Sequence, residues 1–179
     1  MKNEKTEQEE KMILEQNPHR VGDWIIHVFY GLGQIIGIDQ KTLEGEERMF
    51  LKVKTSDSLY WIPISNTDND RIRPLATKGQ FRHALSIIQQ APEKMAENYL
   101  QRRKDISQNL LDVSLYSKVR MIRDLHGRKS ITKYDSSDHY VLDNIKDQFL
   151  NEWTLVMDED REVLEIKLND ALELSIEKI

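Results

Sequence analysis

The sequence contains no cysteine. That excludes a disulfide framework, a thiolate metal centre and a cysteine nucleophile. No run approaches the roughly 20 apolar residues that a membrane-spanning helix needs. The start of the chain, MKNEKTEQEEK, is charged throughout and lacks the apolar stretch of a secretory signal. Histidine clusters are missing as well. The 5 histidines are dispersed, and none forms a His-x-x-x-His or Glu-x-x-His pair that would hold a metal. Fragments of phosphate and cation loops occur without their essential parts. Gly31-Leu32-Gly33 has no third glycine, and Gly127-Arg128-Lys129-Ser130 has neither a leading glycine nor a preceding strand. Asp68-Asn69-Asp70 opens like a calcium loop but has no glycine or distal glutamate at the required spacing. The expectation is a cytoplasmic protein that is not an enzyme, with no cofactor, no small-molecule substrate and no membrane contact.

What is present fits a solvated globular chain, since 39% of residues are hydrophobic and 32% charged. The net charge of −5 hides an asymmetry. Residues 76–150 carry 13 basic and 9 acidic side chains, whereas residues 151–179 carry 3 and 9. The middle of the chain is therefore the net-positive part, a modest excess that an ordinary mixed surface also produces.

Short β-branched and aromatic runs begin after Val21: Trp24-Ile25-Ile26, Gln34-Ile35-Ile36-Gly37-Ile38, Met49 to Val53 and Leu59 to Ile62. Turn material separates them at Gly31-Leu32-Gly33, Glu44-Gly45-Glu46 and Thr55 to Ser58. Four or five short strands in so few residues predict a small antiparallel β-barrel, with Pro63 and Pro74 at its rims. Beyond Pro74 the apolar period becomes helical. Phe81, Leu85 and Ile88 mark one helix, stopped at Ala91-Pro92. A second is expected from near Glu93, carrying Tyr99, Arg102, Arg103, Ile106, Leu110 and Val113. A third puts Val119, Ile122 and Leu125 on one face and ends at Gly127, a natural left-handed cap. The polar stretch 127–137 reads as a loop. Ser136 or Ser137 is placed to cap a long helix bearing Leu142, Ile145, Phe149, Trp153 and Val156. Asp158 is placed to cap a last helix with Leu164, Leu168, Leu172 and Ile176. The expected domains are a charged tail over residues 1–18, the barrel over 19–75 and an all-α bundle over 76–179.

The β module resembles the RNA polymerase-interaction domain of the CarD/CdnL family, which is shared with transcription-repair coupling factor. The resemblance rests on Val21-Gly22-Asp23 before Trp24-Ile25-Ile26-His27, then Tyr30-Gly31-Leu32-Gly33-Gln34-Ile35, Gly37-Ile38 and Leu43-Glu44-Gly45-Glu46. It continues through Phe50-Leu51-Lys52-Val53, Ile62-Pro63-Ile64-Ser65-Asn66 and Ile72-Arg73-Pro74-Leu75. The helical half is similar to CarD in a basic stretch after an aromatic (Tyr99, Arg102, Arg103, Lys104) and in the triplet Arg123-Asp124-Leu125. This chain has Tyr99 where CarD-like proteins usually carry tryptophan. The resemblance implies a Tudor-like barrel and a bacterial transcription regulator. It further implies an edge strand that pairs with the RNA polymerase β subunit, and a helical domain that contacts promoter DNA and stabilises the open complex.

An open barrel leaves unpaired N–H and C=O groups on an edge strand, which is either blocked or used to recruit a partner strand. The expected polymerase-binding surface is Lys41, Arg48, Phe50, Lys52 and Trp61. The residues by themselves leave a second reading open, in which Phe50 and Trp61 are core and the lysines are ordinary edge charges. The expected DNA-binding set is Tyr99, Arg102, Arg103 and Lys104. Tyr99, Arg102 and Arg103 stand at i, i+3 and i+4 on one helix face, where arginines suit phosphates and the ring suits an unstacked base step. That contact is expected to be weak and to count only when tethered to polymerase. The competing expectation is a polymerase-binding adaptor without DNA contact.

Overall fold

A computed structural model of the chain describes residues 17–43, 45–64, 71–131 and 136–179. The charged tail expected at the start, and the Asp68-Asn69-Asp70 triplet, lie largely or wholly outside these residues. The chain divides into two compact units between Pro74 and Leu75.

Among the described residues the first unit is a five-stranded antiparallel sheet: β1 (Trp24–His27), β2 (Gly31–Leu43), β3 (Glu46–Lys54), β4 (Leu59–Pro63) and β5 (Ile72–Pro74). Its order is β4-β3-β2-β1-β5. Among the described residues no ladder joins β4 to β5, so the closed barrel expected from the sequence is here a sheet with two edges. Both expected rim prolines end edge strands, where a missing N–H costs nothing to the ladder. Gly31-Leu32-Gly33 is not the turn it resembles but the start of β2. Gly33 lies so close to β3 that a Cβ there would meet Val53 Cγ1 at 2.7 Å.

A bulge in β2 sets which side chains face which way. Ile35 pairs with Val53, but the next paired residue is Gly37, opposite Lys52, so Ile36 is extra. A slip of one residue exchanges the two faces of everything beyond it. One face therefore carries Ile35, Val53 and Tyr60, then Ile38, Leu51 and Ile62, which pack with Ile25, Ile64, Ile72 and Met49 as the core. The opposite face carries Gly37, Lys52 and Trp61 in one row, Asp39, Phe50 and Pro63 in the next, and Lys41 with Arg48 in a third.

Among the described residues the second unit holds five helices: α1 (Lys78–Ile88), α2 (Tyr99–Leu110), α3 (Leu115–Ile131), α4 (Ser136–Met157) and α5 (Arg161–Ile176). The expected stripes Phe81–Ile88, Val119–Leu125, Leu142–Trp153 and Leu164–Leu172 meet in one buried cluster. Phe81, Phe149 and Trp153 are mutually in contact at its centre, with ring centroids 5.3–6.0 Å apart. Thr77 and Gln80 form a reciprocal capping box at the start of α1.

Helix α2 ends at Leu110, short of the expected Val113, and α4 already includes Ser136 and Ser137 rather than being capped by either. Three further helix ends differ from expectation, each for a local reason. α2 starts at Tyr99 rather than near Glu93, because Asn98 caps it and accepts from Gln101 N at 3.0 Å. The preceding segment is held out of the helix. Glu93 N donates to Asp124 Oδ1 at 2.8 Å, and Arg102 Nη1 donates to the carbonyls of Ala96 and Glu97 at 3.1 Å. α3 runs through Gly127 to Ile131. The glycine serves close approach rather than a left-handed cap, since a Cβ there would stand 2.4 Å from the ring of Pro92. The cap of α5 is Asp160, whose carboxylate accepts from Glu162 N at 3.3 Å. Asp158 instead takes a left-handed conformation with φ 56° just after α4, which aspartate tolerates better than most residues.

Candidate interaction surfaces

On the sheet, the expected residues Lys41, Arg48, Phe50, Lys52 and Trp61 all lie on the face opposite the apolar core. Phe50 is buried yet belongs to that other face, and Trp61 is half-buried there. Neither ring belongs to the sheet's core cluster, although Phe50 is as buried as the members of that cluster. The indole of Trp61 reaches from β4 across β3 to β2, where Nε1 donates to Asp39 Oδ2 at 2.8 Å. Lys52 Nζ stands 3.7 Å from the same oxygen. The hydrogen bond from Trp61, opposed next by desolvation and then aided by Lys52 and more weakly Lys41, holds the Asp39 carboxyl below its ordinary range. The Lys41 ammonium lies 3.2 Å from the centroid of the indole and 6.0 Å from that of Phe50. Arg48 is exposed and paired with Glu46 at 2.9 Å.

This face adjoins an open edge. Thr55 N donates to Ser58 O and Ile64 N donates to Met49 O, so the even-numbered residues of β4 turn their backbone toward β3. The alternation turns the N–H and C=O of Leu59 and Trp61, and the C=O of Pro63, to the outer side. Among the described residues no strand covers that side. The opposite edge, β5, has three residues and ends in proline, which leaves little to pair.

At the other end of the sheet, Phe29 and Tyr30 are exposed in the β1–β2 turn, and Tyr30 stacks on Tyr60 with centroids 4.3 Å apart. Burial, and more weakly the neighbouring Tyr30, pushes the Tyr60 hydroxyl well above the ordinary tyrosine range, so it stays protonated.

In the helical unit the expected basic set separates. Tyr99, Arg103 and Lys104 are exposed on α2, and Arg103 Nη1 donates to Tyr99 Oη at 3.1 Å. Arg102 is only 3% exposed. Its Nε donates to the buried carboxylate of Asp138 at 2.9 Å, and Arg128 Nε lies 3.4 Å from the same oxygen. Arg102 is therefore a structural residue and presents no guanidinium to a ligand. Helical spacing placed it beside Tyr99 correctly, but could not tell which arginine turns inward. The Arg123-Asp124-Leu125 triplet is structural too. Leu125 is core, while the buried Arg123 binds Asp124 and Glu93 at 2.7 and 3.1 Å and so anchors the segment before α2.

Neither glycine motif forms a phosphate loop, since one starts β2 and the other lies inside α3. Among the described residues there is no group of three potential metal ligands, and no helix is long and apolar enough to cross a membrane. Sequence reading missed Asp39, whose only advance signal is its position two residues before Lys41 on the same strand.

The sheet segment has a recognisable kinship. Residues 19–76 match the family model of the CarD-like/TRCF RID domain, a protein-interaction domain rather than a catalytic one. Among curated proteins no relative matches the chain.

Proposed function

Residues 19–76 being a CarD-like/TRCF RID domain, the domain of RNA polymerase interaction, we propose that this chain is a CarD-like transcription regulator. It docks on the polymerase β subunit through the open edge of β4 and the face beside it. The observation that carries this reading is the single face shared by Lys41, Arg48, Phe50, Lys52 and Trp61, next to a strand whose outward N–H and C=O groups lack a ladder partner among the described residues. A partner strand added to β4 gains backbone hydrogen bonds there, while Trp61 and the cations select the partner. The domain boundary of the reading runs at residue 75, with the helical part, residues 76–179, beside promoter DNA.

Exposed Tyr99, Arg103 and Lys104 are the DNA-facing groups of this reading, with Arg102 behind them. Two cations neutralise about two phosphates, so DNA binding by the isolated protein has a salt slope near −2. Docking on polymerase raises the effective DNA concentration to roughly millimolar and makes such a contact count. Tighter binding to the open than to the closed complex then shifts the melting equilibrium. The test joins two measurements. Lys41→Ala with Trp61→Ala is expected to weaken polymerase binding without altering the melt of the protein. Arg103→Ala with Lys104→Ala is expected to shorten open-complex lifetime without weakening polymerase binding. If the second pair leaves the lifetime unchanged while the first weakens binding, the protein is an adaptor without DNA contact. The burial of Arg102 favours that second reading, because it removes one of the three cations.

A further inference from the structure

Trp61 is large, sits on an edge strand and stays partly exposed, so its rotamers need a specific restraint. Packing on the core does not supply one, since the ring lies on the opposite face. Asp39 does, by accepting the indole Nε1–H at 2.8 Å from two strands away. Asp39 is itself placed by the β2 bulge, which turns it to this face, and by Lys52, 3.7 Å away on β3 and paired directly with Trp61. Lys41, two residues along β2, covers the ring at 3.2 Å. Edge and face of the indole are thus held by one carboxylate and one ammonium from the same strand.

We propose that Asp39 is a positioning residue for the polymerase-docking face: it fixes the Trp61 indole across β3 in the free protein, so that the partner meets a preformed ring. The inference rests on the docking reading above and names a residue that reading does not contain. A preorganised aromatic avoids the rotamer entropy otherwise lost on binding. Losing the restraint is expected to weaken binding about two- to tenfold, mainly through faster dissociation.

The experiment uses the full chain, labelled with ¹⁵N at its 3 tryptophan indoles, and immobilised RNA polymerase. Trp61→Phe identifies the Trp61 indole resonance. Asp39→Leu removes the acceptor at similar size, and Asp39→Asn keeps an oxygen that accepts. Asp39→Leu is expected to speed exchange of the Trp61 indole hydrogen and to weaken polymerase binding, while Asp39→Asn stays within about twofold of the parent in both. Thermal melts of all variants are expected to coincide, because Asp39 is not part of the core, and Asp39→Ala replaces Asp39→Leu if the latter melts early. Trp61→Ala separates the two levels of the reasoning. If it weakens binding while the Asp39 variants change neither exchange nor affinity, the positioning role is overturned and the docking face stands. If Trp61→Ala leaves binding unchanged, the docking reading falls and this inference with it.

Discussion

Replacing Arg102 by alanine distinguishes a structural arginine from a DNA-contacting one. Among the described residues its guanidinium donates to Asp138 Oδ2 at 2.9 Å and to the carbonyls of Ala96 and Glu97 at 3.1 Å each. The side chains of Arg102 and Asp138 are 4% and 1% exposed, so the pair is desolvated. Breaking a buried ion pair by deleting one partner costs about 3–5 kcal/mol, because a charge stays behind in low dielectric. Arg128 Nε, 3.4 Å from the same carboxylate oxygen, remains to neutralise it, which sets the expectation at about 3 kcal/mol. Two freed carbonyls add to the loss only where water cannot reach them. Urea unfolding followed by circular dichroism at the helical band measures this in the full-length protein. At about 4–8 °C per kcal/mol for a unit of this size, the helical transition should fall by more than 10 °C. Arg103→Ala is the control, expected within about 0.5 kcal/mol of the parent because Arg103 is exposed. A loss below about 1 kcal/mol for Arg102→Ala, or equal losses for the two arginines, would refute the reasoning. A double-mutant cycle with Asp138→Ala then gives the coupling directly.

Other consequences follow from the same structure. Trp153→Ala should cost about 3–5 kcal/mol, since the ring is 2% exposed between Phe81 and Phe149, and a cost below about 1 would mean the bundle collapses around the gap. Gly127→Ala should destabilise the chain in thermal melts. Alanine gains about 0.5–1 kcal/mol at an open helical site, but here its methyl meets the Pro92 ring at 2.4 Å, and a raised melting temperature would show that Pro92 yields freely. Burial, with Lys146 and Lys129, pulls His126 below the ordinary histidine range against Glu173, so the folded state resists protonating it. Stability should therefore fall as pH drops below the ordinary histidine value of 6.5 and recover above it, with a smaller fall in His126→Gln. Asp39, a lowered carboxyl, has the same sign in a more acidic window. Its contribution is present above the ordinary value of 3.8 and lost only as pH falls through its own lower one, so the Trp61 indole signal should hold steady between about pH 5 and 8.

Much of the architecture is written locally. The strand runs alternate, the helical stripes recur at 3 and 4 residues, and Phe149 with Trp153 could be assigned to a core from spacing alone, because burial of apolar surface dominates folding. The order of glycines, prolines and apolar pairs over residues 19–76 likewise carried the kinship of the β module. Pairwise geometry was not legible. Arg102 and Arg103 are adjacent, alike in charge and equally suited to a helix; only the arrival of Asp138, 36 residues further on, turns one inward. Gly127 reads as a cap until Pro92 is seen lying against it. The proposed docking face depends on the bulge at Ile35–Gly37. Continuous pairing would have pointed Asp39 and Lys41 into the core and Ile38 out of it. One extra residue reverses this, satisfying both the core and the charges. Sequence determined which residues are apolar, charged or aromatic; the register between β2 and β3, a property of two strands together, decided which of them share a surface.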